Sequence, residues 1–129
     1  MKGGVMRLAF IVSALLVGCG PQPPSISNLT YGPLATPVGL PATIALSFSY
    51  VDQNMDTAEY GYLTVDPSGV TSTYPNLPLV GSSSTTVKAM ATFSINITPM
   101  MRGQYAFEVW VIDLTDLESN HLGGVFKAD

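Results

Sequence analysis

Most of the chain alternates between apolar and polar positions with a period of two, the spacing that puts successive side chains on opposite faces of a β-strand. Across residues 42–51, Ile44, Leu46, Phe48 and Tyr50 share one phase, and Thr43, Ser47 and Ser49 the other. Residues 87–98 repeat the pattern, with Val87, Ala89, Ala91, Phe93, Ile95 and Ile97 opposed to Lys88, Thr92, Ser94 and Asn96. Over residues 104–113 the two phases are Tyr105, Phe107, Val109, Val111 and Ala106, Glu108, Trp110, Ile112. Shorter strands are predicted at residues 26–31, 58–66, 70–74 and 124–127. Beyond the N-terminal region no segment holds a capped 3.6-residue period, and ten prolines punctuate the chain. About six or seven strands in a stretch of this length predict an all-β fold, a single antiparallel sandwich.

The first residues do not follow this pattern. Lys2 and Arg7 precede a short apolar run over residues 8–17, interrupted only by Ser13, about half the ~20 residues that a membrane-spanning helix needs. A charged start before a short apolar run is the layout of a secretory signal peptide. Leu16, Val17, Gly18 and Cys19 resemble the lipobox of bacterial lipoproteins. That resemblance implies export through the Sec pathway, cleavage before Cys19, diacylation of its thiol with palmitate-type chains, and acylation of the new amine. Gly20 follows the cysteine where an inner-membrane lipoprotein would carry Asp. By the same resemblance, a Gram-negative cell would sort the protein to the outer membrane. The expected organisation is a signal peptide over 1–18, a lipidated cysteine and Pro-rich tether over 19–24, and one domain over 25–129. A Pro-rich tether of this length extends by ~3.1 Å per residue and holds the domain about 15 to 20 Å from the lipid.

Composition then narrows the chemistry. The 129 residues are 47% hydrophobic and 11% charged, with a formal net charge of −4. Part of the apolar excess belongs to the leader, and its removal leaves nine acidic side chains facing Lys88, Arg102 and Lys127. Such a chain lacks the basic face that counterion-release binding to nucleic acid requires. With Cys19 and His121 the only residues of their kinds, an internal disulfide and a Cys/His zinc cluster are both excluded. Residues 81–86, rich in Ser and Thr, read as a loop.

Residues 101–107 resemble the corner before strand F of immunoglobulin-like domains, where a Gly-x-Tyr precedes the second cysteine of antibody domains; here the residues are Gly103, Tyr105 and, at the cysteine position, Phe107. The resemblance implies that Tyr105 hydrogen-bonds back to the corner backbone and that Leu46 or Phe48 faces Phe107. The family's buried Trp on strand C is replaced by Tyr60, Tyr62 or Leu63. The segment from Gly103 to Asp113, followed by Ser119 and Asn120, is similar to the close of fibronectin type III- and cadherin-like modules on bacterial surfaces. The expected fold is therefore an immunoglobulin-like sandwich of about seven strands.

In that fold the loops after strands B and F share one end, so Asp52, Asp56 and Glu59 are expected near Asp113, Asp116 and Glu118. Asp52, Asp56, Asp113 and Asp116 are candidate ligands for calcium, a hard ion that takes about six to eight oxygens. The same residues are also ordinary turn formers, and no EF-hand spacing is present. Trp110, out of phase with the core register, together with Tyr60 and Tyr62 is a candidate surface for a protein partner or a sugar face, unless a flanking strand or the loop after strand F covers the indole. Neither a Gly-x-Ser-x-Gly motif nor a phosphate-cradling loop occurs. His121 reads as a solvated loop residue. The expectation is a membrane-attached, noncatalytic module that binds or scaffolds an envelope component, with a carbohydrate-binding module, stabilised by calcium, as the alternative.

Overall fold

The computed structural model describes residues 22–79 and 87–129. The expected signal peptide over 1–18, Cys19 and the Ser/Thr-rich run at 81–86 lie outside the described residues. Eight strands form: β1 Ser25–Gly32, β2 Ala35–Thr36, β3 Ala42–Val51, β4 Thr57–Val65, β5 Thr71–Pro78, β6 Lys88–Ile97, β7 Gly103–Asp113 and β8 Leu122–Ala128. They make a three-stranded sheet in the order β1-β3-β6 and a five-stranded sheet in the order β2-β8-β7-β4-β5. The inward phase of each long strand meets in one core, which holds Ile44, Leu46, Phe48 and Tyr50 from β3, Phe107, Val109 and Val111 from β7, and Phe126 from β8.

The main sequence-predicted strands are present, and the departures have local causes. The chain leaves the three-stranded sheet at Gly32-Pro33, whose peptide is cis, and joins the other sheet as β2, which pairs parallel with β8. Two residues are too few for a periodicity to show. β5 runs on to Pro78, because an edge strand tolerates proline where its N–H would face solvent. β7 is buried on both faces from Val109 to Asp113, since the segment after it folds back over its outer side.

The corner before β7 closes as the resemblance implies. The Tyr105 hydroxyl donates to the Met101 carbonyl and accepts from the Met101 N–H, each at 3.2 Å. Ser119 and Asn120 are clamps. The Ser119 hydroxyl accepts the Val111 N–H at 2.9 Å and donates to the Asn120 carbonyl at 2.8 Å. Asn120 accepts the Ile26 N–H through Oδ1 at 2.8 Å and donates from Nδ2 to the Ile26 carbonyl at 2.9 Å. One amide side chain thus mimics a strand partner and fastens β1 to the other sheet. Tyr31 adds a second fastening: its hydroxyl donates to the Val125 carbonyl at 2.8 Å and accepts the Val125 N–H at 3.0 Å. Its ring lies on Gly124, where a Cβ would stand 2.5 Å from the ring, so only glycine fits there.

Candidate functional site

Two groups of candidate residues lie among the described residues, the acidic loops and the aromatic set, and the fold treats them differently. At the end of the sandwich that carries the β3-β4 and β7-β8 connections, the two acidic loops do meet: the Leu114 N–H donates to the Asp56 carbonyl at 3.0 Å. Asp52, the first residue after β3, and Asp113, the last of β7, are each 1% exposed and organise the turn that follows. Asp52 accepts from the N–H of Asn54 at 3.0 Å, the N–H of Asp56 at 2.7 Å and the Thr57 hydroxyl at 2.7 Å. Asp113 Oδ1 accepts the N–H and hydroxyl of Thr115 at 2.8 and 2.7 Å and the N–H of Leu117 at 2.9 Å. Burial works against the charge on Asp52, but the hydrogen bonds from Thr57, Asp56 and Asn54 outweigh it and hold its pKa below the ordinary carboxylate value.

Asp56 is shifted the other way, upward, by burial and by the charges of Asp113 and Asp52. Asp116 lies in a left-handed turn and lines a hollow of about 290 Å³ beside Trp110 and Glu118. Among the described residues no group of three or more His, Cys, Asp or Glu side chains is arranged to hold a metal ion. The four aspartates expected as calcium ligands are therefore not gathered into one donor set. Two of them are engaged as turn formers.

Trp110 is separated from Tyr60 and Tyr62. In the β4-β7 register Trp110 stands opposite Gly61, so its indole lies on the outer face of the five-stranded sheet while Tyr60 and Tyr62 point to the core. The period of two makes this unavoidable, because neighbours of Gly61 must face the other way. The indole is closed on both sides. A Cβ at Gly61 would lie 2.5 Å from Trp110 Nε1, and the His121 ring stacks over the indole at 4.3 Å and 14°. Only 5% of Trp110 is exposed. His121 keeps the exposure expected of a loop residue, 37% of its side chain, and sits between two carboxylates, Nδ1 at 3.0 Å from Glu108 and Nε2 at 3.1 Å from Glu118. Burial depresses its pKa, but the hydrogen bonds and charges of Glu108 and Glu118 prevail and the net direction is upward.

Tyr60 and Tyr62 belong to an aromatic row that the sequence did not reveal. Phe93 of β6 stacks on Tyr60 of β4 at 3.9 Å, Tyr60 lies 6.4 Å from Tyr62, and Tyr62 stacks on Tyr74 of β5 at 4.7 Å. The row begins in the core and ends at Tyr74, which is 44% exposed although it is on the core-facing side of its sheet. Tyr74 was visible as a strand residue. Its place opposite Tyr62 depends on the bulge at Pro75-Asn76, where Asn76 adopts φ 58°, and periodicity alone does not count that extra residue.

No protein family and no curated protein matches the sequence. Solved structures do match. The PKD domain of an M14-like peptidase from a Thermoplasmatales archaeon superposes with a TM-score of 0.52 at 19% identity, over 84% of this chain and 98% of that one. A Niemann-Pick type C2 protein from the Japanese carpenter ant gives 0.54 at 9% identity, over 86% and 96%. An alkylpurine DNA glycosylase of Pseudomonas fluorescens gives 0.52 at 15% identity, over 85% of this chain but 31% of the enzyme. The likeness is one of fold. The chain is an all-β, immunoglobulin-like sandwich of two sheets.

Proposed function

We propose that the protein is a lipid-anchored component of the bacterial envelope whose noncatalytic immunoglobulin-like module binds or scaffolds another envelope or surface component. The observation that carries this reading is the order of Lys2 and Arg7, the apolar run, and Leu16-Val17-Gly18-Cys19 ahead of a single sandwich. The titratable groups support the noncatalytic part. Asp52 and Asp113 serve their own turns, His121 is held by two glutamates, and a hollow of about 680 Å³ is lined by Thr30, Ser47, Thr92, Ser94 and apolar or aromatic neighbours without a carboxylate or imidazole. In this reading Cys19 carries the acyl chains, and two or three of them, at ~0.8 kcal/mol per buried methylene, give lasting attachment.

Metabolic labelling with an alkyne fatty acid tests the anchor. The full chain is expected to take up label and to sediment with membranes, and Cys19→Ala to lose both. A labelled or membrane-bound Cys19→Ala chain would overturn the assignment.

A further inference from the structure

The two sheets are unequal, and the shortfall is on one side. Phe93 stacked on Tyr60 puts β6 over β4, and β5 lies one strand further out in the five-stranded sheet. Among the described residues no strand pairs with the outer edge of β6. The core-facing side of β5 is covered at Leu77, which packs against the core, but stays open at Tyr74, which is 44% exposed.

The other sheet edges carry the features that block strand addition. β1 is bulged between Ser27 and Thr30, with Asn28 at φ 57°. β2 has two residues. β5 contains Pro75 and Pro78 and a bulge. β6 has none of these: it pairs with β3 over ten consecutive residues without a shift in register, and after Lys88 it carries neither charge nor proline.

We propose that the outer edge of β6, with Phe93 and Tyr74, is a docking site for a single extended segment of a partner protein, added as the fourth strand of the smaller sheet. This deepens the binding-module reading and rests on it. Main-chain hydrogen bonds to β6 supply the affinity, and alternate apolar side chains of the segment face Tyr74 and Phe93. The same geometry argues against a second copy as occupant. Its own β6 would bring its β4 in underneath, into the space that β5 fills. An isolated strand has no second layer and fits.

The probe is a capped peptide of alternating threonine and valine, about seven residues long, a typical strand. Added to the full chain, it is expected to slow hydrogen exchange in residues 88–97, read by mass spectrometry, while the sedimentation coefficient stays that of the free chain. Methylating alternate peptide nitrogens on the pairing edge is expected to abolish binding. Tyr74→Ser is expected to weaken it about tenfold and Tyr74→Phe to preserve it, in keeping with the apolar contact that an aromatic ring provides. Protection at β1 or β5 instead of β6, equal binding of the methylated peptide, no protection at millimolar peptide, or a dimer that itself protects β6 would each overturn the site. None of these outcomes alters the labelling of Cys19, so failure of the docking edge is distinguishable from failure of the anchored-module reading.

Discussion

The two open sides of the sandwich are built on opposite principles. On the β1 side the sheets are fastened across the gap by side chains that bond to backbone: Asn120 to Ile26, and Tyr31 to Val125 over Gly124. On the β6 side no such side-chain bond links the two sheets among the described residues. Contact there is aromatic packing, and it ends in a ring half open to water. A side closed by directional bonds has one arrangement, because each buried donor and acceptor needs its partner. A side closed by stacked rings leaves its edge backbone free to accept another strand.

The contrast can be broken most severely at Gly124. A Gly124→Val substitution places its Cβ 2.5 Å from Tyr31 Cε1 and 2.6 Å from its Cζ and hydroxyl oxygen and is expected to lower the unfolding free energy by about 3 kcal/mol, the upper range for overpacking, read by urea denaturation. Asn120→Ala removes both bonds to Ile26 and is expected to cost about 2 kcal/mol in the same measurement, since it leaves a partly buried N–H and carbonyl without partners.

A smaller effect is expected at His121. Its raised pKa means that its pairing with Glu108 and Glu118 contributes fully below the unfolded histidine value near 6.5 and is lost as pH rises through the higher folded value. Because the imidazolium stacks on Trp110 and quenches it, indole fluorescence is expected to increase through that transition. His121→Gln is expected to abolish the pH dependence. The smallest effect is expected on the open side. Tyr74→Ser should change stability by less than about 0.5 kcal/mol; a loss as large as that of Asn120→Ala would mean that the two sides are equally closed.

Much of the fold could be read from the sequence, because Ile44 to Tyr50 and Tyr105 to Val111 keep strict phase and a strand buried on one face has no other way to place them. The Gly103-x-Tyr105 corner was legible for the same reason that it works: the tyrosine bonds within its own loop. Meeting of the acidic loops followed from topology. The aromatic sites did not follow, because they depend on register between strands. Trp110 and Tyr60 were grouped by proximity in a sheet, yet pairing of Trp110 with Gly61 sends them to opposite faces. The closing of Trp110 by His121 needed the path of the β7-β8 connection, and the exposure of Tyr74 needed the number of strands in the facing sheet. Neither is written in a local pattern.

The switch of the chain from one sheet to the other at Gly32-Pro33 has a mechanical side. With a lipid at Cys19, a pull on the domain first meets Gln22, whose N–H is bonded to Asn54 at 2.9 Å, and the buried Pro24, and then passes into β1. Directed along β1, that load is shared as shear by the ladder from Ser25↔Val51 to Gly32↔Ala45. Tyr31 and Asn120 carry part of it into β8 and its approach, and β2 continues it into the five-stranded sheet through β8. In the proposed anchored protein the first strand after the tether is thus also the one gripped by both layers, and force on the tether is spread through the sandwich before it can peel a single strand away.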